Sequence, residues 1–163
     1  MSLITTVLVV TALLGSALIG GVFFTFSSFI MKALAKVPSA EGIAAMQSIN
    51  VVVLNPSFLG VFMGTTVICV FVAALAIKGW AMPSAPYFLA GALLYVVGTF
   101  FVTGLGNVPL NEQLAAVSAS DPKAISIWED YLDRWTFLNT IRTGAAAAAS
   151  LMFTLGIIQS TVV

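Results

Sequence analysis

Three long hydrophobic segments without a charged side chain constrain the fold of this chain more than any other feature. Each has at least 30 residues, and they are Ser2–Met31, Gly42–Ile77 and Gly79–Asn111. A fourth segment, Thr143–Val163, continues for 21 residues to the C-terminus. A helix that crosses a bilayer needs about 20 apolar residues, and the segments lack the alternation of barrel strands. They therefore predict four transmembrane helices.

The predicted fold class is all-α: a four-helix transmembrane bundle with short extramembrane helices in the 1–2 and 3–4 connections. Because four spans use most of the length, residues 1–163 are expected to form a single integral membrane domain. The spans are predicted at about residues 4–30, 56–77, 86–104 and 136–160. The two long connections lie on the same side, so the polar sequence gathers at one face of the bundle.

Helix breakers and caps predict where the helices begin and end. Asn55-Pro56 is expected to start the second span, since Asn caps well and Pro suits the first helical position. Gly104, Gly106 and Pro109 are expected to end the third span. After Asp121-Pro122 no breaker occurs before Gly144. One helix of about 38 residues, roughly 57 Å long, would exceed a bilayer, so its first part should lie outside the membrane.

Composition excludes several classes of function. Charged residues make up 7% of the chain and the net charge is zero, so nothing indicates a nucleic-acid partner. There is no histidine, and the single cysteine, Cys69, lies in the middle of a span. Transition metals and haem are held mainly by these two residue types, so we expect no transition metal and no haem. We expect the lipid bilayer to surround the protein. The sequence leaves open whether several copies of the chain form a homo-oligomer.

The basic residues are unevenly divided between the two predicted membrane faces. Lys78 lies at one face, and the other five lie toward the long connections: Lys32, Lys36, Lys123, Arg134 and Arg142. The positive-inside rule places that face in the cytoplasm and both termini outside, in a bacterial inner membrane. Small residues at GxxxG spacing, Gly60 and Gly64, are expected to let helices approach closely.

The last helix combines aromatic, amide and guanidinium side chains on one face. At 100° per residue, an arc of about 80° contains Trp128, Tyr131, Trp135, Asn139 and Arg142. The acidic residues Glu129, Asp130 and Asp133 fall on the opposite side. The alternative is an interfacial aromatic belt with a snorkelling arginine. A belt needs no Asn and Arg in register beneath it, and an ionisable residue inside a span suggests a functional site.

A second set of polar residues is expected at the same end of the bundle. It comprises Gln47, Asn50, Asn55, Asn107, Asn111 and Glu112, of which Asn55 is explained by helix capping. Glu112 is the candidate partner of Arg142, because an unpaired buried charge is costly. Ser27 and Met31 follow Phe23 on one face of the first helix. Together these residues predict an aromatic-lined pocket for a flat phenolic or quinonoid small molecule.

In these segments the chain resembles the anthrone oxygenase-like family of small four-helix membrane proteins. The resemblance extends over nearly the whole chain and rests on FSSFIMKAL, MQSINVVVLNPSF, GNVPLNEQL and the pattern W-x2-Y-x3-W-x3-N-x2-R from Trp128 to Arg142. The residues that correspond to shared family motifs are Asn50, Asn107, Asn111, Glu112, Trp128, Trp135, Asn139 and Arg142.

The resemblance implies an activity: oxidation of an anthrone to an anthraquinone by molecular oxygen, without metal or flavin. In such a reaction Glu112 would take the proton, while Arg142 and Asn139 would hold the developing anion. Trp128, Tyr131 and Trp135 would stack on the rings of the substrate. The alternative is a non-catalytic membrane protein that binds or exports a lipophilic small molecule.

The charge asymmetry predicts that both termini face away from the cytoplasm. An impermeant thiol reagent applied to intact cells should label Ser2→Cys and should not label Ser120→Cys, because Ser120 lies in the connection predicted to be cytoplasmic. The parent chain, whose Cys69 lies mid-span, serves as the control. Labelling of Ser120→Cys alone would reverse this topology.

Overall fold

Five helices make up the computed structural model, which describes residues 1–161 and contains no strand in that range. They are α1 (Leu3–Leu34), α2 (Ser39–Val52), α3 (Pro56–Lys78), α4 (Ala85–Ala115) and α5 (Ala124–Thr161). All except α2 are long and apolar enough to cross a membrane. The predicted all-α fold with four spans is thus confirmed. The short helix predicted in the 1–2 connection is present as α2.

Local side-chain chemistry explains where two of the long helices begin. Ser2 Oγ accepts a hydrogen bond from the backbone N–H of Thr5, 3.2 Å away, at the start of α1. Asn55 Oδ1 accepts from the backbone N–H of Phe58 at 3.0 Å, and Pro56 occupies the first position of α3. The predicted Asn55 cap is confirmed. Each cap satisfies an N–H group that has no partner within its helix.

The prediction that Gly104, Gly106 and Pro109 end the third span is wrong. Helix α4 continues through all three residues to Ala115, so the short helix expected in the 3–4 connection is the end of α4. The backbone of α4 departs from regular α geometry in two π-helical segments, Val96–Phe101 and Thr103–Asn107, and the second contains Gly104 and Gly106. Helix breakers are tolerated inside a bundle where π-type adjustments and neighbouring helices satisfy the backbone groups that they free.

Helix α5 packs against both α1 and α4 and connects two apolar clusters. The larger cluster lies in the predicted spans and includes Phe62, Tyr95 and Phe153. The smaller cluster lies beneath α2 and includes Met46 and Trp128. Between the two clusters, the buried face of α5 is polar, and the side chains of Asn139 and Arg142 lie there. The candidate site is therefore enclosed by apolar packing toward both ends of the helix.

Glycines permit close helix contacts, although not at the positions predicted. A Cβ atom added to Gly60 or Gly64 would meet no neighbouring atom of the chain within 4 Å, so this GxxxG pair does not mediate contacts between helices of one chain. Gly98 is different, because an added Cβ would lie 2.5 Å from the Cβ of Ala145. The absence of a side chain at Gly98 therefore sets the separation between α4 and α5 at this level.

We expect Gly98→Ala to destabilise the bundle, because the new methyl group would meet the methyl group of Ala145 on a rigid helix. Overpacking of this kind costs about 1–3 kcal/mol, which thermal unfolding in detergent can measure. Gly64→Ala adds the same methyl group in open space and should leave the melting temperature nearly unchanged. Equal melting temperatures for the two variants would contradict the close approach at Gly98.

Candidate functional site

The predicted face of α5 is confirmed by burial. Its five side chains are all less than 6% exposed: Trp128 2%, Tyr131 2%, Trp135 5%, Asn139 0% and Arg142 4%. The acids at the other side of the helix, Glu129, Asp130 and Asp133, are exposed. The alternative of a snorkelling arginine is wrong, since a guanidinium that reached the lipid headgroups would be solvent-accessible.

Arg142 is held by neutral groups. Its Nη2 donates to Asn139 Oδ1 at 2.7 Å, and its Nη1 donates to Thr103 Oγ1 at 3.1 Å. The guanidinium carbon lies 4.1 Å from the ring centroid of Phe23 and 5.2 Å from that of Trp135. Its Nε is buried without a hydrogen-bond partner among the described residues. Ring faces attract cations, but none of these contacts neutralises the charge.

The predicted pairing of Arg142 with Glu112, Asn107 or Asn111 is wrong. Glu112 is exposed, and Arg142 binds Asn139 and Thr103 instead. Within residues 1–161 the only ion pair joins Arg134 and Asp130, both on the surface. All six acidic residues of the chain are exposed. No Asp or Glu carboxylate therefore lies beside the buried guanidinium.

Asn139 fixes the position of the Arg142 guanidinium, and both polar atoms of its amide form hydrogen bonds. Its Nδ2 donates to the backbone carbonyl of Phe23 and to Ser27 Oγ, each at 2.7 Å, while its Oδ1 accepts from Arg142. Ser27 lies within a π-helical segment of α1, Phe26–Ile30. Thr103 lies at the start of a π-helical segment of α4. Such segments are rare and occur often at functional sites, and here two of them flank one arginine.

Three aromatic rings form a ladder along α5 toward its N-terminal end. Trp128 and Tyr131 stack with centroids 5.6 Å apart, and Tyr131 and Trp135 stack at 5.9 Å. Asn111 Oδ1 accepts from both the Tyr131 hydroxyl and Trp135 Nε1, each at 2.8 Å. Asn50 Nδ2 donates to the Tyr131 hydroxyl at 3.3 Å. One amide oxygen of α4 thus satisfies two polar atoms of the ladder.

The remaining predicted residues divide between the polar group and the apolar packing. Asn107 Nδ2 donates to the backbone carbonyl of Trp135 at 3.1 Å, and its buried Oδ1 has no partner in the described part of the chain. Met31 is buried in the apolar cluster beneath α2. Gln47 donates to the carbonyls of Leu114 and Val117, and so caps the end of α4.

The sequence interpretation missed two members of the polar group. Thr103 receives the Nη1 hydrogen bond of Arg142, and the hydroxyl of the exposed Thr140 lies 3.0 Å from Ser27 Oγ. Thr103 could have been found, since it precedes Asn107 by one helical turn. Thr140 gave no such signal, because it lies outside the arc of the predicted face and makes its contact from the helix edge.

The predicted open pocket is not seen between the aromatic residues. The rings of Trp128, Tyr131 and Trp135 stack on one another and fill the space expected for a flat ligand. A cavity of about 280 Å³ lies at the opposite end of the bundle, near Thr5 and Lys78. A ligand at Arg142 would therefore have to displace ring contacts.

Fold and site together define a class: a bundle with four helices suited to a membrane and a polar site built around a buried cation. The anthrone oxygenase family model matches residues 57–152, which is more than half of the chain. The chain belongs to the anthrone oxygenase family. The match covers nearly all of α3, the whole of α4 and α5 as far as Met152, but leaves out α1 and α2, so it is narrower than the resemblance inferred from sequence. No curated protein and no solved structure matches the chain.

We expect Asn111→Ala to destabilise the protein, because it would leave the Tyr131 hydroxyl and Trp135 Nε1 without their acceptor. A stranded buried donor costs about 1–3 kcal/mol, which denaturation in detergent can measure. Asn111→Asp should restore most of this loss, since a carboxylate accepts both bonds. Asn50→Ala removes one longer bond from a half-buried amide and should cost less than about 1 kcal/mol. An equal loss for Asn50→Ala and Asn111→Ala would contradict the bridging role of Asn111.

Proposed function

We propose that the protein is a membrane-embedded oxygenase that converts a flat, phenolic anthrone-type substrate to a quinone with molecular oxygen, without metal or flavin. Family membership supports oxygenase-like chemistry. The observation that carries the proposal is the buried Arg142, which is held in place by Asn139 and Thr103 and has no carboxylate partner among residues 1–161. A fixed positive charge in a water-poor site stabilises an oxyanion far better than it would in water.

The overall reaction requires only a deprotonated substrate and oxygen. The methylene carbon of an anthrone loses two hydrogens and gains one oxygen atom, while the second oxygen atom leaves as water. Loss of the first proton gives an anion whose charge lies largely on the oxygen across the ring, and this electron-rich anion reduces oxygen. Arg142 favours the anion by placing its charge beside that oxygen. The protein thus lowers the energy of the reactive form and excludes water.

Neighbouring groups can orient such a substrate. The Oδ1 of Asn107 is a buried acceptor without a partner in the described residues, and a phenolic hydroxyl could donate to it. Trp135 lies under the guanidinium and stacks on Tyr131, so its ring marks where a flat ligand would exchange for an aromatic contact. Glu112 has no part in this proposal, because its carboxylate is exposed and forms no hydrogen bond to the arginine.

The second candidate is a non-catalytic protein that binds or exports a lipophilic small molecule. The exposure of all six acidic residues favours it, because a buried cation without a neighbouring base can bind an anion but cannot remove a proton. The two candidates differ in turnover. Both require Arg142.

Oxygen uptake by the purified protein with 1,8-dihydroxyanthrone tests the proposal. We expect one anthraquinone for each oxygen consumed, without hydrogen peroxide. Arg142→Met keeps much of the side-chain volume, removes the charge and should lower the rate about 100-fold or more, as loss of an oxyanion-stabilising group does. Arg134→Met is the matched control, since Arg134 is exposed and pairs only with Asp130.

The control variant should keep the parent rate. Stabilisation of the parent protein by the corresponding anthraquinone, without oxygen uptake, would favour the binding alternative. Equal rates for the parent and Arg142→Met would show that the arginine takes no part in turnover and would contradict the proposed site.

A further inference from the structure

We infer that Arg142 selects the ionised form of a lipophilic weak acid, so that the ligand releases its proton to water before it reaches the site. The inference rests on the proposed function in placing the ligand at Arg142. The inference goes beyond the proposed function because it assigns the charge state of the bound ligand and removes the need for a catalytic base.

The charge of Arg142 is not compensated by any acidic side chain of the chain. Arg142 is 4% exposed, and its partners are an amide oxygen, a hydroxyl oxygen and two aromatic rings. An intramembrane charge normally faces a partner of opposite sign or a functional pathway. Since no acidic side chain is near, the missing negative charge fits a ligand, and the unpartnered Nε is a donor that remains for it.

The groups that face Arg142 cannot take a proton from a ligand near neutral pH. Helix α1 presents Phe23 to the guanidinium, α4 presents Thr103, and α5 presents Asn139 and Trp135. None of these side chains titrates in water near neutral pH. The acids of α2, α4 and α5 and the lysines of α1 and α3 are exposed: Glu41, Glu112, Glu129, Asp130, Asp133, Lys32 and Lys78. Tyr131 is the buried titratable group nearest along α5, and its hydroxyl already donates to Asn111.

In the described part of the chain, the site offers no carboxylate or imidazole to accept the proton of a neutral acid. The chain has no histidine, and all six of its Asp and Glu side chains are exposed. A phenol that arrived neutral would keep its proton beside an unpaired cation. A phenolate would pair with Arg142 directly, so the geometry favours the anion over the neutral molecule.

A route for such a ligand is indicated by a series of polar contacts at the edge of the bundle. The exposed Thr140 lies beside Ser27, Ser27 accepts from Asn139, and Asn139 accepts from Arg142. These groups join the α1–α5 seam to the guanidinium without a gap. The seam is therefore the side from which the oxygen of a phenolate can approach the charge while its rings remain in apolar surroundings.

Equilibrium binding of 4-nitrophenol, which ionises near neutral pH and is not oxidised by oxygen, tests the inference. We expect its affinity for the parent protein in detergent to rise about tenfold for each pH unit below the pKa of the probe and to level off above it. 4-Nitroanisole, the methyl ether that cannot ionise, should bind weakly at every pH. Arg142→Met should remove the pH dependence, and Arg142→Lys, which keeps the charge without the planar fork, should retain it with lower affinity.

Tyr131→Phe separates titration of the ligand from titration of the protein. If the pH dependence persists in this variant, it belongs to the probe, as the inference requires. Loss of the dependence in Tyr131→Phe, tighter binding of 4-nitroanisole than of 4-nitrophenol above the probe's pKa, or absence of binding would each overturn the inference. Anthrone turnover combined with any of those results would leave the proposed function standing. Binding of the anion without anthrone turnover would support the inference and overturn the proposed function.

Discussion

A guanidinium charge buried among apolar helices is the constraint on which the rest of this site depends. An isolated ion in such surroundings costs several kcal/mol even after relaxation, so each neighbour must reduce that cost. Asn139 and Thr103 supply charge-assisted hydrogen bonds, and Phe23 and Trp135 supply ring faces. Two helices depart from regular α geometry at the level of these residues. Ser27 and Thr103 lie in these π-helical segments, and their hydroxyl groups belong to the hydrogen bonds around Arg142.

The neutrality of the partners matters as much as their number. A carboxylate at the position of Asn139 would pair with Arg142 and cancel its field at close range. The amide instead fixes the guanidinium, because its oxygen accepts from Arg142 while its nitrogen binds the Phe23 carbonyl and Ser27. The cation is thus held in position without being neutralised. A site that stabilises an anion by electrostatics needs a cation that is both fixed in position and not already paired with a negative charge.

The buried face of α5 was predicted from side chains that recur with the helical period of 3.6 residues. The four spans were predicted from apolar segments of 20 or more residues. Both signals are local in the sequence. The predicted partner of Arg142, Glu112, was wrong because the end of α4 was predicted wrongly. Gly104, Gly106 and Pro109 were expected to end a helix, so Glu112 was free to turn inward. Since α4 is continuous, Asn107 and Asn111 lie one turn apart facing α5, and Glu112 lies about 100° farther round, in the exposed part of the helix. The π-helical segments that keep α4 continuous have no sequence signature that we could recognise.

The closed aromatic ladder and a ligand site are compatible once the energies of the competing contacts are compared. A cation–π contact contributes about 0.5–2 kcal/mol, and Arg142 has two of them. A charge-assisted pair with an anion is stronger, and it would also supply an acceptor for the unpartnered Nε. The ring of Trp135 can move without leaving the guanidinium bare if an aromatic anion takes its place, since the incoming molecule replaces both the charge contact and the stacking. Under the proposed function, the ring of Trp135 would therefore hold the place beside the guanidinium that an aromatic anion takes when it binds.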